Sequence, residues 1–180
     1  MSLSNYHKLR KFLFIVVTVA ASSSISLIGG LGIESVQAKI LPIIPLLIAM
    51  PALNTMVGDY AAIIAAHAVD PVETKRSRKQ LARAIGRAIW VNILGVLILS
   101  SVLAYRRGYL FDNVFILKFV GFIVFAMITV VTIMFSLTAL LDKILEKRRL
   151  HPDDILIPIV TSITDVMMLG LIALGVALLF

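Results

Sequence analysis

The sequence predicts an all-α, polytopic membrane protein with five spanning helices, and three observations predict it. Of its 180 residues, 60% are hydrophobic and the mean hydropathy is +1.03, whereas soluble domains are about 45–50% apolar. The apolar residues collect in five runs, each long enough for a hydrocarbon core about 30 Å thick. Thirteen of the seventeen Lys and Arg residues lie in three places that alternate along the chain. These are the N-terminus (Lys8, Arg10, Lys11), the segment after the second run (Lys75, Arg76, Arg78, Lys79, Arg83, Arg87) and the segment after the fourth (Lys143, Lys147, Arg148, Arg149).

The first span is expected from about Phe12 to Gly32. Its FLFIVVTV followed by AASSSIS resembles a signal peptide. Apolar residues continue through Leu31, however, and removal would break the charge alternation, so we read it as a retained helix. Ser22, Ser23, Ser24 and Ser26 read as small residues for close helix packing. The second span, Ile40 to Ala66, is expected to be irregular. Pro42, Pro45 and Pro51 each lack a backbone donor, and a mid-helix proline kinks or breaks a helix. The third span runs from Ala84 to Tyr105, the fourth from Val114 to Leu141 and the fifth from Ile155 to Phe180. Asn92, Lys118, Thr129, Thr132 and Ser136 read as structural or snorkelling groups, and His67 and His151 as solvated interfacial histidines.

The intervening hairpins hold only Lys39, Arg106 and Arg107. The positive-inside rule therefore places the N-terminus and all three basic clusters in the cytoplasm and the C-terminus outside, in the cell membrane. The net charge of +7 and pI near 10 follow from this topology and from anionic headgroups, and argue against a nucleic-acid partner. Cysteine is absent, which excludes disulfides and thiolate metal sites. Residues 1–180 read as a single transmembrane domain. Five spans cannot close an inverted repeat within one chain, so any symmetry must come from a second copy, and a twofold homodimer is expected.

The informative residues are the acids inside these spans. Asp165 lies about 18 Å deep in the fifth span at 1.5 Å per residue, near mid-bilayer. A charged group there costs at least about 2.5–3.5 kcal/mol, so it normally faces a polar cavity and marks a pathway or a relay. Pro158, Thr161 and Asp165 share one stripe, with Ile159, Ile163 and Val166 on the oily face opposite. In the second span Pro51 is followed by Asn54, Thr55, Gly58 and Asp59. Thr55 and Asp59 share a helix face, and Gly58 permits close approach by a backbone or a hydrated ligand. Counted from the cytosolic side, Asn54 at about 20 Å levels with Asp165, and Asp59 at about 12 Å levels with Thr161. Asp153 and Asp154 read as charges at a helix N-terminus, or as a ring at an ion entrance. Carboxylates with carbonyl and amide donors suit hard cations: Mg²⁺, Ca²⁺ or Mn²⁺.

Taken together, the five-span plan, the polar second span and the fifth-span sequence HPDDILIPIVTSITD resemble the transmembrane domain of MgtE-type magnesium channels and of the related solute-carrier family 41 transporters. The fifth-span motif of those proteins is an Asp-Pro pair, a Thr/Ser-rich turn and an Asp fourteen residues from the first. Here His151-Pro152 stands at the start and Asp165 fourteen residues on. The family's Gly/Asn-rich second span corresponds to Asn54-Thr55 and Gly58-Asp59-Tyr60. The resemblance implies that Asp165 holds hydrated Mg²⁺ in a path between two subunits, with Asn54, Gly58 and Asp59 lining it and Thr161 and Asp154 contributing. It also implies Mg²⁺ as the bound and transported ion, with Mn²⁺ or Co²⁺ as further candidates. His151 in place of Asp, and Asp59 where the family more often has an uncharged amide, depart from that pattern.

Other readings stay open at this level. A proton- or Na⁺-coupled divalent exchanger would use the same midplane carboxylate, and a non-transporting membrane subunit could carry Asp165 for assembly. No enzyme is expected. Intramembrane aspartyl proteases pair two membrane aspartates but need Tyr-Asp and Gly-x-Gly-Asp, where this chain has Ile163-Thr164-Asp165 and Met56-Val57-Gly58-Asp59.

Overall fold

A computed structural model describes the backbone of residues 3–68, 75–148 and 153–180, and the side chains of 12–68, 77, 79–141, 143–144 and 156–180. The described residues form helices α1 (Leu3–Glu34), α2 (Gln37–Ile40), α3 (Ile44–Ala68), α4 (Lys75–Arg106), α5 (Asn113–Arg148) and α6 (Asp153–Leu179), with no strand among them. In hydrocarbon every backbone polar group must be satisfied within its own segment, which leaves the helix as the form for an isolated apolar run. Among the described residues five helices are long and apolar enough to span, over Phe12–Glu34, Ile44–Ala68, Lys79–Arg106, Asn113–Leu141 and Leu156–Leu179.

The second span differs from expectation. Residues 37–40 form the separate turn α2, and the spanning helix starts at Ile44 rather than Ile40. Pro42 cannot donate to the carbonyl of Ala38, so α2 stops. The Leu46 and Leu47 amides then both bond the Ile43 carbonyl at 3.0 Å and open α3. Pro45 lies in that first turn, where a missing donor costs nothing. Pro51 lies within the helix, yet α3 continues through it without a break. Its cost is confined to one lost bond, to the Leu47 carbonyl four residues back. Pro158 sits likewise inside α6.

Cross-links between helices fix the directions. Asn92 of α4 donates to the Tyr60 hydroxyl of α3, and His67 bonds Ser77 at 2.9 Å, so α3 and α4 run antiparallel. Phe115 packs on Phe180, and Lys118 donates to the Leu179 carbonyl at 2.8 Å, so α5 and α6 are antiparallel too. That ammonium occupies the negative end of the α6 dipole, which gives Lys118 a partner at the membrane edge. Thr132 and Ser136 donate to carbonyls four residues back in their own helix. The α4–α5 hairpin begins with a Schellman turn: Gly108 has φ +80, and the Gly108 and Tyr109 amides bond the Tyr105 and Ala104 carbonyls. Tyr109, Phe111, Phe115, Phe119 and Phe180 form an aromatic cluster beside it, and burial pushes the Tyr109 phenol above its ordinary pKa.

The core is built around α3. Leu46, Leu53, Val57, Ala61 and Ile64 are buried against Ile123, Met127, Val130 and Met134 of α5 and Leu156, Val160, Met168 and Ile172 of α6. A Cβ on Gly175 would strike the Phe122 ring, so this glycine lets α5 and α6 close. The outward faces of α1, α4 and α5 instead expose Leu27, Leu31, Val91, Leu94, Ile98, Leu117 and Phe125, as lipid-facing helices do.

Candidate functional site

Asp165 projects from the middle of α6 into the seam where α1 and α3 both meet that helix. The Asn54 amide of α3 donates to its Oδ1 at 3.2 Å, and the Ser26 hydroxyl of α1 donates to its Oδ2 at 3.3 Å. Each carboxylate oxygen thus has one protein donor, which leaves roughly one lone-pair site on each for a further donor or a cation. Helical side chains lean toward the N-terminus of their helix. The carboxylate therefore reaches between Asn54 and Gly58, one turn apart on α3, and a Cβ on Gly58 would sit 3.8 Å from Oδ1. Asn54 turns its amide nitrogen to Asp165, and its own carbonyl oxygen is buried without a hydrogen-bond partner among the described residues.

The remaining expected residues divide. Asn54, Gly58 and Asp165 come together, as the depth arithmetic for Asn54 anticipates. Asp59 does not join them: it is exposed on the outward face of α3. Five residues past Asn54 is about 140° around a helix, so the two side chains diverge. Thr55 is exposed as well. Thr161 is half-buried one turn below Asp165, with its hydroxyl donating to the Ile157 and Pro158 carbonyls at 2.9 and 3.1 Å. Ser162 and Thr164 are the buried hydroxyls of this segment, and both donate back within α6. Ile159, Ile163 and Val166 are half-buried rather than an oily outer face, since Val166 abuts α1. The side chain of Asp154, and His151 and Pro152 entirely, lie outside the described residues.

Ser26 is the member that sequence reasoning assigned only to packing. The packing is real: Ser22 and Gly29 are buried on the same stripe, and a Cβ on Gly29 would meet the Val166 Cα at 3.1 Å. Ser26 adjoins Asp165, Gly29 adjoins Val166 and Leu169, and Gly32 adjoins Ala173. The two helices therefore rise in parallel, and Ser26 arrives at the depth of the carboxylate. The signal available in the sequence was the S-x-x-x-S-x-x-G stripe, which does not say which helix it meets.

Among the described residues no three His, Cys, Asp or Glu side chains cluster closely enough to hold a metal. One carboxylate with an amide and a hydroxyl suits a cation that keeps most of its water, as Mg²⁺ does. Neither a curated protein nor a solved structure matches the chain. A family model described as MgtE, divalent cation transporter, matches residues 50–175, more than half of the chain, from within α3 through most of α6. The chain therefore belongs to the MgtE family of divalent cation transporters.

Proposed function

We propose that the protein carries Mg²⁺ across the cell membrane along a polar path lined by α3 and α6, with Asp165 as its central charge. The observation that carries this reading is a mid-span carboxylate held on separate oxygens by Asn54 and Ser26, next to a glycine that leaves room beside it. An acid kept at such depth has a cost of at least about 2.5–3.5 kcal/mol, and a cation offsets it. Hydrated Mg²⁺ would accept its positioning through water, with the Asn54 carbonyl oxygen as an acceptor for one of those waters. Gly58 clears the approach, and Thr161 and Asp154 are successive polar stations toward the cytosolic side, with Asp59 set apart on the outward face of α3.

The working unit is a twofold homodimer embedded in the bilayer as a single transmembrane domain, N-terminus inside and C-terminus outside. The outward face of α3 supports the dimer. It carries Pro51, Ala52, Thr55, Asp59, Ile63 and Ala66, all exposed, and with one large aliphatic side chain among them it is smaller and more polar than the aliphatic faces of α1, α4 and α5. Two copies meeting there would enclose Asp59 and leave one Asp165 site in each protomer.

The test is uptake into proteoliposomes across Mg²⁺, Mn²⁺ and Co²⁺, with and without a pH gradient. The reading expects Mg²⁺ flux that depends on Asp165 and is indifferent to the gradient. Flux that requires the gradient would indicate coupled exchange, and no Asp165-dependent flux of any of these ions would overturn the reading.

A further inference from the structure

We infer that Ser26 of α1 is a positioning residue of the ion site, acting through the Asp165 carboxylate. The inference rests on the transport reading above. The family match starts at residue 50, so it covers no part of α1, yet α1 supplies one of the two protein donors to the central carboxylate.

Three observations separate Ser26 from an ordinary membrane serine. Hydroxyls in helices usually turn back to a carbonyl three or four residues earlier. On this same helix Thr18 donates to the Phe14 carbonyl and Ser24 to the Ala20 carbonyl, both at 2.9 Å. Ser26, two residues further on, instead crosses to α6. It then occupies Oδ2 while Asn54 occupies Oδ1, so the donors come from two helices. One donor would let the carboxylate turn about its terminal torsion, which is a broad, soft rotor. Two donors on different oxygens fix its plane and aim the remaining lone pairs. Finally, the register that delivers Ser26 is set independently, by Gly29 lying 3.1 Å (as a built Cβ) from the Val166 backbone. A larger residue there would lift α1 and carry the hydroxyl away.

The experiment measures initial Mg²⁺ uptake against Mg²⁺ concentration in proteoliposomes for the wild-type chain, Ser26→Ala, Ser26→Thr, Ser22→Ala and Asp165→Asn, with melting temperature in detergent recorded for each. Positioning predicts that Ser26→Ala raises the half-saturating concentration by about three- to tenfold with maximal rate nearly unchanged. Ser26→Thr, which keeps the hydroxyl, should restore it to within about twofold. Ser22→Ala, on the same packed stripe but without a bond to Asp165, should leave half-saturation unchanged. Equal shifts for Ser26→Ala and Ser22→Ala, or none for Ser26→Ala while Asp165→Asn abolishes uptake, would overturn the role of Ser26 and leave the transport reading standing. Normal uptake by Asp165→Asn would overturn the transport reading itself. If Ser26→Ala does not fold, Ser26→Cys, with a weak donor of similar size, must raise the half-saturating concentration more than Ser26→Thr does, or the inference fails.

Discussion

Asp165 and Asp59 are the same side chain in two membrane helices of one protein, and their surroundings are opposite. Asp165 lies in the seam of three helices with a donor on each oxygen. Asp59 is exposed, on a helix face that no other described part of this chain covers. The first is held by its own fold, whereas the second needs a partner, water or an ion to make its position tolerable. A single chain therefore builds a fixed charge and an unfinished one. On the dimer reading, the second copy finishes it.

That contrast can be broken most directly at Asp165. Asp165→Asn keeps the shape and removes the charge. We expect uptake to fall on the order of 100-fold, since a charged contact contributes about 1.5–3 kcal/mol, while the purified protein keeps its oligomeric size. Loss of assembly with little loss of flux would instead make this acid structural. Gly58→Leu should lower the maximal rate on the order of tenfold, because a side chain starting 3.8 Å from Oδ1 fills the approach, an overpacking effect whose steric scale is about 1–3 kcal/mol. An equal effect from Gly58→Ala would point to backbone conformation instead.

Asp59→Asn should reduce flux by only about three- to fivefold and leave the melting temperature unchanged, as exposed substitutions cost about 0.5 kcal/mol or less. A hundredfold loss there would make the two acids equals. The smallest effect belongs to Tyr60→Phe, next to Asp59. It removes the acceptor for Asn92 and should cost about 0.6 kcal/mol of stability, the mean for such membrane hydrogen bonds, with flux unaltered. A drop in flux without a drop in stability would move Tyr60 into the path.

Much of this architecture was legible before folding. Span number and approximate ends follow from apolar length, and the level match of Asn54 with Asp165 follows from a fixed rise per residue. Where reading failed, the cause was local. Pro42 ended a helix and Pro51 did not: α3 runs through Pro51 on its exposed face at the cost of one backbone hydrogen bond. Asp59 was placed near the path by depth alone, and depth says nothing of azimuth when the facing helix is unknown.

What the sequence by itself determined is one-dimensional: five apolar lengths, their polar interruptions, the depth of each acid, and the basic clusters that bias orientation. These depend only on helical rise and on the cost of charge in hydrocarbon. What the tertiary structure alone decided is which faces meet. Ser26 reaches Asp165 because Gly29 lets α1 close on Val166 in parallel register, and Asp59 turns outward because the buried face of α3 is fixed by Leu53, Val57 and Ala61. Rotation about a helix axis is set by packing against neighbours, and no property of a single apolar run contains it.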